Sequence, residues 1–104
     1  MSWIRITPIG NIPLREGRCV TLAGKELAIF RLHDRVYAVD NQCPHSGGPL
    51  CDGITSGTTV VCPLHGWRVS LESGEVERPS QNISVNTYDA RVRDGVVEIN
   101  WRAA

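Results

Sequence analysis

The sequence predicts an all-β fold, an antiparallel β-sandwich or small barrel. Short apolar or β-branched runs follow one another at close intervals, and turns rich in Gly and Asp separate them. No run of ten or more residues combines helical periodicity with helix caps. Because the chain has 104 residues, we expect one domain, residues 1–104, built around one core.

The first half of the chain contains three predicted strands. They span residues 18–22, 26–32 and 36–40. Turn residues at Ala23-Gly24 and around Asp34 separate them, which is typical of successive hairpins.

The second half begins with a turn-rich stretch, residues 41–71, for which we predict two loops and one short strand at 58–61. After it, Tyr88, Ala90 and Val92 alternate with polar residues, which predicts a single strand. The pair Asp94-Gly95 then leads into an apolar run at 96–99, and this order indicates a two-residue hairpin.

The composition excludes several functional classes. With 41% hydrophobic and 21% charged residues, the chain has no apolar stretch of the roughly 20 residues that a membrane span needs. Eleven basic and eleven acidic side chains balance, and the sequence lacks the basic cluster that a nucleic-acid partner would require.

The first residues do not resemble a secretory signal, so we expect a cytoplasmic location without a membrane partner. Four cysteines in that compartment indicate thiols, metal ligands or redox sites.

The two predicted loops each carry one cysteine and one histidine. The first reads Cys43-Pro44-His45 and the second Cys62-Pro63-Leu64-His65, with 16 residues between the two motifs. Thiolate and imidazole groups bind both zinc and iron, and two of each make a complete tetrahedral set. The same four groups can instead divide between the two irons of a 2Fe-2S cluster. Zinc is the less favoured reading, since structural zinc sites usually begin with two closely spaced cysteines.

The paired motifs C-x-H and C-x-x-H resemble the signature of the Rieske family, whose domains are built from small antiparallel sheets. The resemblance implies a Rieske-type 2Fe-2S cluster with Cys43 and Cys62 on an inner iron and with His45 and His65 on an outer iron near the surface. Neighbouring residues would then surround the cluster. The residues expected in that surrounding shell are Gly47, Gly48, Gly66 and Trp67. The glycines would let loop N–H groups approach the cluster sulfurs.

Respiratory members of the family add a disulfide between the loops and two hydroxyl donors after the second histidine. Here Gly48 and Leu64 stand where those cysteines would be, and Trp67 and Val69 replace the Ser and Tyr. The chain is therefore similar to the low-potential ferredoxin branch. Two segments, residues 36–41 and 67–75, are similar to the small subunit of NAD(P)H-dependent assimilatory nitrite reductase.

The resemblance implies a non-catalytic electron carrier, and the sequence contains no nucleophile–base pair or nucleotide fingerprint for chemistry of its own. The expected partner is the large nitrite reductase subunit. A free-standing ferredoxin between a flavoprotein reductase and an aromatic-ring dioxygenase is the alternative, and a structural zinc module is the third reading. Cys19 and Cys51 lie outside the motifs, so they are expected to be buried small residues or free thiols.

Overall fold

Three antiparallel sheets contain the eleven strands of the computed structural model, which describes residues 2–33, 35–43, 48–64, 66–78 and 83–101. The strands are β1 (Ser2–Pro8), β2 (Glu16–Leu22), β3 (Lys25–Arg31), β4 (Val36–Asp40), β5 (Ile54–Ser56), β6 (Thr59–Val61), β7 (Arg68–Ser70), β8 (Val76–Arg78), β9 (Thr87–Tyr88), β10 (Ala90–Arg93) and β11 (Val96–Trp101). Their order is β1-β11-β10 in the first sheet, β2-β3-β4-β9 in the second and β5-β6-β7-β8 in the third. Two 3-10 turns, Ile9–Asn11 and Leu50–Asp52, are the helical segments of the described part. The all-β, antiparallel prediction is confirmed.

The second sheet lies in the middle of the fold, and its strands β3 and β4 are therefore buried on both faces. On β3, Leu27 and Ile29 point to one side while Ala28 and Phe30 point to the other, and all four are fully buried. A strand covered on both faces needs a continuous apolar run instead of an alternating one. This requirement explains why these two strands were predictable from the sequence.

Apolar side chains form two clusters, one on each face of the middle sheet, where the sequence predicted one core. The first sheet contributes Val97 and Ile99 to the cluster on one face. The third sheet contributes Val60 and Val69 to the cluster on the other face. Both candidate cysteine ligands belong to this second cluster, which we call the loop-side core; it comprises Ala28, Phe30, Leu32, Tyr37, Val39, Cys43, Leu50, Cys51, Val60, Cys62, Val69, Leu71, Val76 and Val85.

Two tight hairpins have the expected geometry. Ala23 and Gly24 join β2 to β3 with φ values of 52° and 79°, and Asp94 and Gly95 join β10 to β11 with φ values of 53° and 76°. Two consecutive positive φ values are the signature of the turn that matches the twist of paired strands. The hairpin predicted at Asp94-Gly95 is confirmed.

The prediction of one continuous strand around residues 88–93 is wrong. The strand is interrupted at Asp89. β9 pairs with β4 in the middle sheet, whereas β10 pairs with β11 in the first sheet. The Asp89 carbonyl accepts a hydrogen bond from the Asn100 N–H at 2.9 Å, beside the point where the chain changes sheets.

The stretch from 41 to 71 also contains more strands than predicted. Besides β6 it includes β5 and β7. In the third sheet β5 pairs with β6, β6 with β7, and β7 with β8, all antiparallel. The third sheet is therefore the platform from which the second candidate loop projects. Within the described part of the chain, no helix has the length and apolar character needed to cross a membrane. The cytoplasmic location stays a prediction.

Candidate metal centre

The first candidate loop begins where β4 ends and is closed at its base by the backbone. Gln42 and Pro49 form an isolated antiparallel bridge, and the Cys43 N–H donates to the Gly48 carbonyl at 2.8 Å. One step further out, the Leu50 N–H donates to the Asn41 carbonyl at 2.9 Å. These contacts continue the β4 direction past the end of the strand, so Cys43 is held in a fixed position at the base of the loop.

The second candidate loop begins where β6 ends and is closed in the same way. The Cys62 N–H donates to the Trp67 carbonyl at 2.8 Å, and β7 starts at the next residue. Inside the loop the Gly66 N–H donates to the Cys62 carbonyl at 3.0 Å. Gly66 has φ 73°, a conformation that favours glycine.

The two loops are therefore built alike. In each, a cysteine N–H is bonded to the carbonyl of the fifth residue after it, and the predicted histidine lies between the two. His45 and His65 themselves, like Gly47, lie outside the described residues. The shared closure puts Cys43 and Cys62 in equivalent settings, as a site assembled from both loops requires.

Gly48 is the point where the first loop meets the second. A methyl group added there would lie 2.9 Å from Leu64 Cδ1 and 3.1 Å from Cys62 Sγ. The first loop thus passes against the sulfur of the second loop's cysteine, and only a residue without a side chain fits without displacement. Gly48 and Leu64, the two positions compared with the respiratory disulfide, do face each other across the loops.

The two candidate cysteine ligands are buried in apolar surroundings. Cys43 and Cys62 are each 2% exposed, and both are part of the loop-side core. The half-buried Trp67 side chain packs against the same hydrophobic cluster, and its predicted place beside the 2Fe-2S cluster stays a prediction. All four cysteines lie in the part of the chain that the structure describes, and no disulfide joins any of them.

This donor set fits a 2Fe-2S cluster. Two buried sulfurs at the bases of two facing loops can serve one iron, and a soft thiolate pair is suited to iron or zinc. Among the described residues no three His, Cys, Asp or Glu side chains gather around one point. The two histidines that would complete the set are those outside the described part.

Gly66 forms a tight turn within the second loop. Its N–H is bonded to the Cys62 carbonyl, so the chain reverses direction within four residues. The role of Gly66 beside the cluster stays a prediction.

Asn41 is an anchoring residue at the site that the sequence reasoning missed. It is 5% exposed, and its side-chain Oδ1 accepts the Cys51 N–H at 2.8 Å while its Nδ2 lies 3.2 Å from Cys19 Sγ. Together with its backbone bond to Leu50, these contacts fix both ends of the first loop. A lone Asn after an apolar strand carries no signal for this role, because its partners come from distant parts of the sequence.

Asp40, which ends β4, fixes the loop base from the other side. Its carboxylate accepts hydrogen bonds from the Tyr88 hydroxyl at 2.7 Å and the Asn86 N–H at 3.0 Å, and Lys25 Nζ lies 3.2 Å away. Burial, first among several causes, raises the pKa of Tyr88, so this hydroxyl remains a donor at neutral pH. Hydrogen bonds with Tyr88 and Asp40 raise the pKa of Lys25, so it remains a cation there.

Comparison with known proteins matches nearly the whole chain to one family. The family described as the Rieske-like 2Fe-2S domain matches residues 2–100. The ferredoxin component of the naphthalene 1,2-dioxygenase system of Pseudomonas aeruginosa is 31% identical over 99 residues, with 95% of each chain covered.

Solved structures extend the similarity to a second group of proteins. A protein assigned as the NADH-dependent nitrite reductase small subunit of Mycobacterium tuberculosis superposes with a TM-score of 0.89 at 28% identity and covers 99% of this chain and 97% of its own. The Escherichia coli protein NirD superposes with a TM-score of 0.82 at 34% identity, with 94% of each chain covered.

Proposed function

This chain belongs to the Rieske-like 2Fe-2S domain family, and we propose that Cys43, His45, Cys62 and His65 hold its cluster. The protein is a Rieske-type electron carrier, and its cofactor is a 2Fe-2S cluster. In the proposed arrangement both cysteines bind one iron and both histidines bind the other. Such a cluster takes up and releases one electron at a time, and two neutral imidazoles in place of two thiolates raise its reduction potential.

The observation that carries the proposal is the pairing of two alike loops over one apolar cluster. Cys43 and Cys62 are equally buried, each at the base of its loop, and Cys62 Sγ is directed against Gly48 of the first loop. The two cysteines belong to the same apolar cluster at the bases of facing loops, an arrangement that suits two thiolate ligands of one metal group.

The exposed tip of the second loop supports a docking surface for a redox partner. Leu64 is 56% exposed although it lies two residues from the fully enclosed Cys62. Pro63 and Gly66 beside it are exposed as well. The predicted ligand His65 lies between them in sequence, so a partner that contacts Leu64 would approach the proposed histidine-bound iron and shorten the path of the electron.

As partner we propose the large subunit of an NAD(P)H-dependent nitrite reductase. Two similarities favour this choice: the M. tuberculosis small-subunit structure, which covers almost the full length of both chains, and the segments 36–41 and 67–75. In the structure these segments flank the two loops directly, since one is β4 with Asn41 and the other contains β7.

The second candidate is a free-standing ferredoxin that supplies an aromatic-ring dioxygenase. It is favoured by the P. aeruginosa ferredoxin component, which this chain matches over 95% of both lengths. The two candidates share the cluster and the loops, so the partner alone distinguishes them.

The first experiment establishes the cofactor. The purified protein should be red-brown and should give a Rieske-type electron paramagnetic resonance signal after reduction with dithionite. Cys43→Ser should lose both the colour and the signal, and the matched control Cys19→Ser should keep them. A colourless protein with stoichiometric zinc would contradict both electron-transfer candidates.

The second experiment identifies the partner. The dithionite-reduced protein is mixed anaerobically with the large nitrite reductase subunit or with a dioxygenase oxygenase component, and cluster reoxidation is followed by absorbance. Faster reoxidation by the nitrite reductase subunit supports the proposal. Faster reoxidation by the oxygenase would overturn it in favour of the second candidate.

A further inference from the structure

Two cysteines that the proposed cluster does not use both contact the Asn41 side chain at the stem of the first loop, Cys19 through its Sγ at 3.2 Å and Cys51 through its N–H at 2.8 Å. Cys19 is on β2, and Cys51 is in the 3-10 turn Leu50–Asp52 that follows the loop. A methyl group added to Gly17 would lie 2.9 Å from the Cys51 carbonyl oxygen. Residues two apart on a strand share a face, so Cys19 lies on the face of β2 that Cys51 covers.

The Cys19 sulfur has three polar neighbours. Its thiol donates a hydrogen bond to Glu26 Oε1 at 3.3 Å and accepts one from Asn41 Nδ2 at 3.2 Å. The Cys51 thiol is the third neighbour, within reach of a hydrogen bond to Cys19. Burial of the sulfur, followed by the hydrogen bonds with Glu26 and Cys51, raises the pKa of Cys19 to about 12. The residue as a whole is nevertheless exposed, so a small reagent can reach it.

We propose that Cys19 and Cys51 form a disulfide under oxidising conditions and that this bond joins β2 to the stem of the first loop. The two thiols lose two protons and two electrons as the S–S bond forms. A small-molecule disulfide such as oxidised glutathione takes up the two electrons and two protons, and its own S–S bond is cleaved to two thiols. The proposal does not depend on which residues bind the cluster.

The surroundings of Cys19 also bear on how fast the bond would form. Only the thiolate attacks a disulfide, and the Glu26 carboxylate opposes a second negative charge next to it. The bond is therefore expected to form slowly at neutral pH. Once formed, the disulfide closes a loop from residue 19 to residue 51. It reduces the conformational freedom of the unfolded chain and so stabilises the stem that Asn41 already anchors.

The test is to detect the bond in the cluster-loaded protein. The holoprotein is incubated with oxidised glutathione, remaining thiols are alkylated under denaturing conditions, and the digest is examined by mass spectrometry. We expect one linked pair of peptides containing Cys19 and Cys51, absent from Cys19→Ser and from Cys51→Ser, and a higher unfolding temperature for the linked form. A digest in which Cys19 carries only glutathione, or in which both cysteines are alkylated, would overturn the proposal.

The rate of the reaction tests the role of Glu26. Glu26→Gln should accelerate disulfide formation by about threefold for each unit by which the pKa of Cys19 falls, because the thiolate fraction rises tenfold while its nucleophilicity declines. Glu16→Gln removes a charge from the other face of β2, where Glu16 pairs with Arg18, and should leave the rate unchanged. Equal rates in the two variants would refute the contact assigned to Glu26.

Discussion

Replacing Gly48 with alanine tests how tightly the two loops are packed. The added methyl would lie 2.9 Å from Leu64 Cδ1 and 3.1 Å from Cys62 Sγ. Leu64 is 56% exposed and can rotate toward solvent, whereas Cys62 is 2% exposed and enclosed by the loop-side core. The strain that remains therefore falls on the sulfur proposed as a cluster ligand.

Overpacking of this kind costs about 1–3 kcal/mol. For a domain of this size, each kcal/mol lowers the unfolding temperature by roughly 4–8 °C. We expect Gly48→Ala to unfold roughly 4–24 °C below the parent protein and to show an altered electron paramagnetic resonance spectrum, because Cys62 Sγ must shift.

The matched control is Gly10→Ala. No atom of the described residues lies within 4 Å of a methyl group added to Gly10, so this change should leave both the unfolding temperature and the spectrum unaltered. The double variant Gly48→Ala/Leu64→Ala removes one of the two clashes. If it regains full stability and the parent spectrum, the strain lies on Leu64 alone, and the close approach to Cys62 has been overestimated. A Gly48→Ala single variant indistinguishable from the parent would refute the tight packing altogether.

Three further predictions concern the cluster and the first sheet. Cys62→Ser should abolish cluster colour and lower the unfolding temperature, because the loops lose their shared metal group; retained colour would contradict the ligand assignment. The reduction potential, measured by redox titration, should fall in the lower part of the roughly −150 to +300 mV Rieske range, since Trp67 and the buried Val69 offer no hydroxyl donor; a value near the upper limit would refute this reasoning. The hydrogen bond from Arg91 at 2.8 Å lowers the pKa of Glu98. The ionised Glu98 carboxylate should therefore stabilise the fold fully at pH values above the usual pKa of Glu, and this stabilisation should be lost as the pH falls through the lowered pKa. Glu98→Gln should therefore flatten the loss of stability in acid, and an unchanged pH profile would exclude this role.

The strands that the sequence predicted well are those whose burial leaves a local pattern. β3 and β4 are covered on both faces, and each contains four consecutive buried residues, 27–30 in β3 and 36–39 in β4. The Asp94-Gly95 turn was predictable because its two positive φ values strongly favour these residue types.

The strands that escaped prediction depend on distant partners. β5, β7 and β8 have three residues each, too few to show a period, and exist because they pair with one another and with β6. The break at Asp89 leaves the alternation of side chains intact, so only the change of pairing partner reveals it.

The candidate site likewise has one part that could be predicted from the sequence and one part that could not. The spacing of four residues of two types, Cys and His, identified the two loops, because the chemistry of the ligands restricts their identity. The contacts that hold the loops in place, above all those of Asn41 with Cys19 and Cys51, join residues ten and more positions apart. No short motif records such contacts.

The pairing of β1 with β11 has a practical consequence for handling the molecule. Ser2 lies opposite Trp101, so the two ends of the described chain are neighbours in the first sheet. That sheet packs on the face of the middle sheet turned away from the loop-side core. A tag, a fluorophore or a surface tether placed beside Ser2 or Trp101 would lie on the side away from Cys43 and Cys62. Immobilised in this orientation on an electrode, the protein would present the proposed cluster site to an enzyme in solution.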